Sequence, residues 1–580
     1  MIRWIADNII SPLGYSSQQN YEAVREGRCA LRQYHDKCEI PQPFTAALFT
    51  DEQNDELRVE GMTRFESLAL LSAKRAIEKT NIDVTDDSTV FILSTTKANI
   101  DTLSPSIAAK KIAQRIGIIT EPVVVCNACI SGVAAIVLAL RLLDAGIYKH
   151  AIVCGADIQD KFTISGFQAL NALSADEAKP FDMERNGLNL GEAAATIVFS
   201  ASIPVNEDCW VVSDGAIYND AFHIVSPSKD AEGAMNALKA VTVNVPAEEI
   251  AFINAHGTAT MFNDQMESVA IEKAGLNEIP VNGLKGVFGH TLGAAGVVET
   301  IVSLYALNDG LILKTKGYKD RGVSGKINVT TDNSPTNKKC FIKMISGFGG
   351  CNGAICVRKT NVPVPGIISP PPSGEGSGEG LVPIPVNVPV PVNVPVPVPV
   401  NVPVKKIHIT PQEVTVDGRP LSCTQKGDSL LVELYRNHIA DYPKFYKMDG
   451  LSRLGFVASE LLTPPKDPTT SIILFNNSSS AQADRDYMTT IADGDNYFPS
   501  PAKFIYTLPN IVTGEIAIRN GYKSETSFYI IHQRDDSLID TIAKATLSAN
   551  GSDNAIIGWI DYQDSHHFEA FFYTVDRQQN

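Results

Sequence analysis

Basic residues are scarce in this chain: 49 lysines and arginines stand against 65 aspartates and glutamates, a formal charge of −16. This balance argues against a nucleic-acid groove or an anionic membrane surface as the main partner. Long apolar runs are also lacking, because none reaches the roughly 18 residues of a spanning helix. Asp7 and Asn8 interrupt the opening segment before it attains signal-peptide length. We therefore expect a cytoplasmic protein with no nucleic-acid and no membrane partner.

The ten cysteines lack the spacing of a disulfide framework. Cys126 and Cys129 form the only Cys-x-x-Cys pair, and no second pair is present to complete a zinc site. The adjacent His566 and His567 near the end of the sequence are a weak metal signal by themselves. We expect reduced thiols and no bound metal.

A change of composition divides the chain. Residues 363–404 contain a Gly/Ser/Glu stretch and then repeated Pro-Val-Asn-Val units, which bury nothing. We predict a linker, flexible in its glycine-rich part and extended by about 3.1 Å per residue in its proline-rich part. Its regularity would also suit an engineered joint. On either side, in 1–362 and 405–580, apolar strand-like runs alternate with helical periodicity, which indicates an α/β fold in both domains.

An internal repeat connects the two domains. In both copies one position lies 12 residues after a glycine and 22 residues before an apolar strand, and it is Cys129 in the first copy and Gln533 in the second. These spacings predict that the second domain repeats part of the first with glutamine in place of cysteine. The segments that superimpose are Arg115-Ile-Gly117 with Arg519-Asn-Gly521, and 151–157 with 555–561.

Cys129 lies where an apolar run meets a small-residue turn and then an apolar helix. A thiol at a helix N-terminus is close to unpaired N–H groups, so we predict a lowered thiol pKa and a covalent acyl thioester. A lone cysteine in such a setting is more often structural. Two histidines change this interpretation: His256 follows an apolar strand in Asn-Ala-His-Gly-Thr, and His290 lies in the turn Phe-Gly-His-Thr-Leu-Gly.

The cysteine and the two histidine motifs, in this order, resemble those of the β-ketoacyl synthases. The resemblance covers about residues 1–360 and implies a thiolase fold, which is a duplicated αβαβα arrangement. It also implies an acyltransferase that elongates a cysteine-bound acyl chain by decarboxylative Claisen condensation with malonyl-acyl carrier protein. Other landmarks of the family are Ser11-Pro-Leu-Gly, Lys179-Pro-Phe-Asp, Gly191-Glu192, Asn263-Asp264 with Glu267, Lys285, and Ser346-Gly-Phe-Gly-Gly.

The resemblance assigns roles to the catalytic residues. It makes Cys129 the acyl acceptor, and it gives neutral His256 and His290 hydrogen bonds to the malonyl thioester oxygen that stabilise the enolate. The backbone N–H groups of Cys129 and Phe348 would form a separate oxyanion hole for acyl transfer. No cofactor is implied, because the substrates arrive on the phosphopantetheine arm of the carrier.

Supporting roles follow from the same resemblance. Phe348 corresponds to the gate between the acyl and malonyl sites. Lys285 and Glu267 are expected to form a buried ion pair, which either orders the site or is purely structural. Carrier proteins of this family have an acidic surface, so a basic patch is required. The candidates are Lys110, Lys111 and Arg115, although their clustering on one predicted helix favours a solvated helix face.

Three positions depart from the family pattern. Ile130 follows the nucleophile where a small residue is usual, and Ala259 replaces a glycine of the first histidine motif. Cys351 stands where threonine is usual, in a Cys-Asn-Gly sequence that partly copies the second cysteine loop of a thiolase. A biosynthetic thiolase, which condenses two acyl-CoA molecules without loss of carbon dioxide, is therefore the alternative enzyme. It would not need His290 in its Gly-His-Thr setting.

The second domain is long enough for half of a thiolase fold, and no catalytic histidine motif follows Gln533. Glutamine at the cysteine position resembles the chain-length-factor subunits that pair with active synthases, here in truncated form. We expect this domain to dock on the first as a pseudo-dimer partner and to wall the far end of the acyl tunnel. Aryl-polyene-type pathways use such pairs, although fatty-acid or polyketide elongation also fits. The alternative is a synthase homodimer with a separate interaction module.

Overall fold

A computed structural model describes residues 2–35, 37–100, 104–202, 209–360, 405–463, 466–494 and 497–576. The predicted linker, 363–404, lies outside the described residues. Within the described ranges, no helix combines the length and apolarity needed to cross a membrane.

Among its described residues, the first domain contains ten α-helices, two large sheets that share a five-strand pattern, and two small sheets; one large sheet has a sixth, short strand at its edge. In chain order its elements are β1 (Arg3–Ile10), α1 (Ser17–Arg25), β2 (Arg32–Tyr34), β3 (Phe44–Ala47), α2 (Asp51–Glu56), α3 (Arg64–Ile77), β4 (Thr89–Ser94), α4 (Pro105–Ile116), β5 (Val123–Val125), α5 (Ser131–Asp144), β6 (His150–Asp157), α6 (Lys161–Ala169), β7 (Leu190–Gly191), β8 (Ala193–Ser200), β9 (Trp210–Asn219), α7 (Glu232–Thr242), β10 (Ile250–Asn254), α8 (Met261–Lys273), β11 (Pro280–Asn282), α9 (Lys285–Phe288), α10 (Ala295–Asn308), β12 (Leu311–Ile312), β13 (Asn328–Val329), β14 (Ser334–Pro335), β15 (Cys340–Gly347) and β16 (Cys351–Lys359).

Both sheets have the same strand order. The first runs β5–β4–β6–β8–β1, in which the first three strands are parallel and the other two are antiparallel to their neighbours. The second repeats this pattern as β11–β10–β15–β16–β9. The repetition confirms the duplicated thiolase arrangement.

Helices α5 and α10 form the layer between the two sheets. Their sequences are apolar around nearly the whole circumference, as a helix covered on all sides requires, and almost all their residues are buried. The two helices approach closely at glycines, since a Cβ built on Gly132 would lie 3.0 Å from Gly296 Cα. Helix α3 covers the outer face of the first sheet, and α7 covers that of the second.

The second domain repeats one half of this architecture. Its sheet runs β21–β20–β22–β23–β17, with the directions of the first sheet. Its elements are β17 (Lys406–Ile409), β18 (Val414–Val416), β19 (Arg419–Pro420), α11 (Asp428–His438), α12 (Gly450–Leu462), β20 (Ser471–Asn476), α13 (Ala481–Met488), α14 (Pro501–Tyr506), α15 (Ile511–Asn520), β21 (Thr526–Ile530), α16 (Asp536–Asn550), β22 (Asn554–Asp564) and β23 (His567–Asp576).

The two domains join edge to edge into one continuous sheet. Strand β5 pairs antiparallel with β21, and Val125 lies opposite Tyr529. Tyr529 precedes Gln533 by the same four residues by which Val125 precedes Cys129. The pairing therefore brings equivalent positions of the repeat together about a local twofold axis, as the predicted pseudo-dimer requires.

Buried polar contacts fix this interface. Arg141 makes two hydrogen bonds of 2.7 Å with the carboxylate of Glu525, and both side chains are buried. Lys97 binds Asp484 at 2.5 Å in a second, partly buried cross-domain ion pair. Such pairs need their partner, because removing one charge leaves the other without compensation in a medium of low dielectric constant.

Candidate active site

Cys129 lies at the junction that the sequence predicted. After β5 the chain makes a short 3₁₀ turn at Ala128–Ile130 and then enters α5. Ala128 has a positive φ of 49°, a strained conformation that persists only where the surrounding structure enforces it. The thiol borders a cavity of about 310 Å³, which also has His256 and His290 on its walls.

The three predicted catalytic side chains meet in this cavity, which is the larger of two that Cys129 borders. The Cys129 sulfur and one nitrogen from each imidazole all lie within 4.8 Å of one another. The two rings are 5.0 Å apart and nearly perpendicular. All three residues are buried.

His256 is positioned through its backbone. Its N–H donates to Glu267 Oε1 at 2.7 Å, and the following Gly257 N–H donates to Glu267 Oε2 at 2.7 Å. The ammonium of Lys285 donates to the His256 carbonyl at 2.6 Å. The loop that follows β10 is thus held on both sides, and the imidazole is left to face the cavity.

His290 is held with a defined tautomer. Its backbone N–H donates to Asn189 O at 2.6 Å, and its Nδ1 accepts a hydrogen bond from Leu292 N at 3.3 Å. A neutral imidazole that accepts at Nδ1 carries its proton at Nε2. That Nε2 is buried and has no hydrogen-bond partner among the described residues, so it can donate to a bound substrate.

Burial sets the charge state of both histidines. It lowers the pKa of His256 and of His290 well below the usual 6.5, and the nearby Lys285 ammonium acts in the same direction. Both imidazoles are therefore neutral at neutral pH. Neutral rings can donate N–H bonds to a developing enolate oxygen without an additional charge in the site.

The pKa of the Cys129 thiol differs from the prediction. Desolvation raises it to about 12, and it exceeds the opposing effect of Lys285 and of the cysteine's own backbone N–H. The helix N-terminus that the sequence revealed is present, but the degree of burial was not visible from local pattern. The resting nucleophile is a thiol rather than a thiolate.

The prediction of an ion pair between Lys285 and Glu267 is wrong. Lys285 binds Glu299 at 2.6 Å, and Lys343 binds the other oxygen of the same carboxylate at 2.5 Å. Glu267 serves instead as an acceptor for backbone N–H groups. The sequence did not lead us to Glu299 and Lys343. Each is an isolated charge within an apolar helix or strand, and this isolation is a sequence signal for a buried ion pair.

Phe348 lies between the larger cavity and a smaller one. It lines both, and the smaller cavity, of about 20 Å³, also contacts Cys129. The ring stacks on Phe167 with centroids 6.2 Å apart. A Cβ built on Gly347 would lie 3.2 Å from Cys129 N, so the backbone beside Phe348 is close to the nucleophile, as the oxyanion-hole prediction requires.

The second domain closes the smaller cavity with residues other than Gln533. Phe504, Thr507 and Leu508 line it together with Cys129. Gln533 occupies the predicted turn between β21 and α16, but it is exposed. In a complete thiolase fold the second half would cover this turn.

The departures from the family pattern have separate explanations. Ile130 packs into the main core and lines neither cavity. Ala259 has a φ of 63°, a left-handed conformation that explains why glycine is usual there. Cys351 faces Thr526 and Asn510 of the second domain, at 3.4 Å and 3.7 Å, and burial raises the pKa of its thiol to about 11.

The candidate basic patch is already engaged in local contacts. Lys111 binds Glu66 at 2.7 Å and Arg115 donates to Glu60 O at 3.1 Å. Lys110 lies 3.9 Å from Glu121. These contacts favour a solvated helix face over a basic patch that binds the carrier protein.

Comparison with known proteins agrees with the geometry. The N-terminal domain of β-ketoacyl synthases matches residues 8–202, and the C-terminal domain matches 210–319. Nodulation protein E of Rhizobium meliloti (strain 1021) is 26% identical over 389 residues, which are 60% of this chain and 96% of that protein. The 3-oxoacyl-[acyl-carrier-protein] synthase 2 of the same strain is 31% identical over 254 residues, 40% of this chain and 60% of its own.

Solved structures extend the likeness into the second domain. The "PfaC Keto synthase-Chain length factor" structure covers 99% of this chain with 78% of its own, at a TM-score of 0.75 and 14% identity. The ketosynthase ApeO in complex with its chain length factor ApeC from Xenorhabdus doucetiae covers 62% of this chain and 98% of its own, with a TM-score of 0.53 and 22% identity. The matched domains, together with the Cys-His-His geometry, show that the chain belongs to the β-ketoacyl synthase family.

Proposed function

We propose that Cys129, His256 and His290 catalyse decarboxylative Claisen condensation between a cysteine-bound acyl chain and malonyl-acyl carrier protein. The observation that carries this proposal is the meeting of one thiol and two neutral imidazoles within 4.8 Å in a buried cavity. The product is a β-ketoacyl-acyl carrier protein. The reaction needs no bound cofactor, because the reacting groups arrive on the carrier's phosphopantetheine arm.

In the acyl-transfer step, the Cys129 sulfur attacks the thioester carbon of the acyl carrier. Because the thiol pKa is about 12, a neutral imidazole takes the proton as the bond forms, and the departing carrier thiolate then receives it. The backbone N–H groups of Cys129 and Phe348 stabilise the oxyanion.

In the condensation step, the malonyl carboxylate leaves as carbon dioxide, and the electron pair of the broken bond forms an enolate. N–H bonds from His256 and His290 stabilise the enolate oxygen. The enolate carbon attacks the acyl thioester, and the Cys129 thiolate leaves and is reprotonated. The unpartnered Nε2 of His290 supports this role, because buried polar atoms without partners are uncommon in proteins outside binding sites.

The test separates the two steps. With malonyl and acyl carriers as substrates, we expect Cys129→Ala to abolish acyl-enzyme formation, while His256→Ala and His290→Ala each slow carbon dioxide release but leave acylation measurable by mass spectrometry. Loss of one hydrogen bond to a developing oxyanion costs on the order of 10²-fold in rate. His566→Ala, at an exposed position of the second domain, is the matched control. Decarboxylation at the wild-type rate in both histidine variants would contradict the assignment.

Thiolase chemistry is disfavoured by the position of Cys351. A thiolase uses a second cysteine beside the nucleophile, but Cys351 contributes to neither cavity wall and faces the second domain. The carbon dioxide measurement distinguishes the two enzymes directly.

For the second domain, we propose the role of a truncated chain-length-factor-like partner that limits the acyl chain. Phe504 and Leu508 support this role, because they line the smaller cavity and not the larger one. The acyl carrier protein is the proposed external partner, and a polyene chain is the proposed product class, by analogy with the ketosynthase and chain length factor pairs of the same fold.

A further inference from the structure

Asn510 lies at a helix N-cap position, but its side chain does not cap the helix. It is the N-cap residue of α15, a position where asparagine normally accepts a hydrogen bond from an N–H of the first turn. Its side chain makes no such bond. Instead its Nδ2 donates to Phe348 O across the domain boundary at 2.8 Å, and its Oδ1 is buried without a partner among the described residues. The side chain is oriented by the neighbouring domain rather than by its own helix.

The backbone of α15 also fits the turn that carries Phe348. We call residues 347–350 the Phe348 turn. A Cβ built on Gly514 would lie 2.8 Å from Gly349 O and 2.9 Å from Gly349 Cα, so only glycine permits this approach. Gly349 and Gly350 have positive φ angles of 89° and 76°, a conformation that other residues adopt only with strain.

A further contact comes from β21. Thr526 Oγ1 accepts a hydrogen bond from Asn219 Nδ2 at 2.9 Å. It also lies 3.4 Å from the sulfur of Cys351, the residue that directly follows the Phe348 turn. Asn219 Nδ2 also donates to Gly349 O at 2.8 Å. The Phe348 turn is therefore enclosed by side chains that are themselves held by the second domain.

The position of this turn decides whether the two cavities are separate. Phe348 is one of two aromatic side chains, with Phe167, that line both the larger cavity and the smaller one, and Cys129 borders both. A small displacement of the turn would remove the ring from between the cavities. The carbonyl that Asn510 holds belongs to Phe348 itself.

We propose that Asn510 is a positioning residue through which the second domain keeps Phe348 between the acyl and malonyl compartments. This inference rests on the proposed function and extends it: the second domain controls coupling between decarboxylation and condensation, in addition to limiting the chain. Asn510 touches no substrate and acts through the Phe348 turn.

The test compares two asparagines of the same helix. Asn510→Ala removes the bond to Phe348 O, whereas Asn520→Ala, at the other end of α15, removes bonds only to Glu460 and Ile516 within the second domain. For each variant of the full chain, the ratio of carbon dioxide released to β-ketoacyl product is measured, together with the rate of Cys129 acylation. We expect Asn510→Ala to raise the ratio on the order of 10-fold, because small displacements near reacting groups have large kinetic effects, with acylation unchanged. Asn520→Ala should retain the wild-type ratio.

A second variant tests the same inference if Asn510→Ala fails to fold. Gly514→Ala displaces the Phe348 turn by steric contact without removing a hydrogen bond, and it should raise the same ratio. A folded Asn510→Ala or Gly514→Ala chain with the wild-type ratio would overturn the inference. Failure of the proposed function has a different signature, since wild-type protein would then give no Cys129-dependent condensation at all.

Discussion

At the residue scale, Glu299 balances the charge beneath the site. Its carboxylate binds the ammonium groups of Lys285 and Lys343, and all three side chains are buried. Glu299→Gln would leave two buried cations with one neutral partner, so we expect a loss of about 3–5 kcal/mol in the free energy of unfolding. Because Lys285 holds the His256 carbonyl, the rate of decarboxylation should fall as well.

Thermal unfolding and carbon dioxide release measure this prediction. Glu278→Gln, at an exposed position of the same domain, is the control and should change neither quantity. Equal unfolding midpoints for the two variants would show that Glu299 does not have this role.

The residue scale also shows where sequence reasoning succeeded and where it did not. Cys129, His256 and His290 were found because their three motifs occur together in the order of the β-ketoacyl synthases, although each motif alone is indecisive. The partner of Lys285 was not found, because Glu267 and Glu299 both lie in helices and only side-chain direction decides between them. The raised pKa of Cys129 depends on burial by distant segments, which a local helix N-terminus does not reveal.

At the scale of elements, α14 determines the end of the smaller cavity. Phe504 packs edge-on against Phe167 at 5.5 Å, and a Cβ built on Gly166 would lie only 2.1 Å from the Phe504 ring. Phe504→Ala should open the cavity and lengthen the acyl chains that Cys129 accepts, at a cost of about 3–5 kcal/mol in stability.

Product length by mass spectrometry tests this expectation. Phe498→Ala, an exposed phenylalanine just before the same helix, is the matched control. An unchanged length distribution in folded Phe504→Ala protein would mean that α14 does not limit the chain.

The elements themselves were largely predictable, and their exposure was not. The apolar helix predicted after Cys129 is present as α5. The repeat correctly located the turn that contains Gln533. It did not show that this turn is exposed, because exposure depends on which distant segments pack over the turn rather than on local structure.

At the scale of the whole molecule, the Arg141–Glu525 pair tests the docking of the two domains. Arg141→Met leaves a buried carboxylate without compensation, so we expect it to separate the unfolding of the domains and to lower activity. Exchange of both residues for methionine should recover much of the loss, because it removes both charges.

Calorimetry and the mass of the native particle check this prediction. The internally paired chain should have the mass of one chain or of a multiple of paired chains. A homodimer joined through two first-domain β5 strands would contradict it, since β21 already occupies that edge.

The pairing of Val125 with Tyr529 at the local twofold axis has a consequence for how this interface can change. In a homodimer, one codon specifies both sides of the axis, so every substitution appears twice and must be compatible with itself. Here a small aliphatic residue faces a large aromatic one, an asymmetric solution that two identical chains do not offer. Each side can vary separately. Because both domains belong to one polypeptide, the stoichiometry of the two domains stays one to one at any dilution.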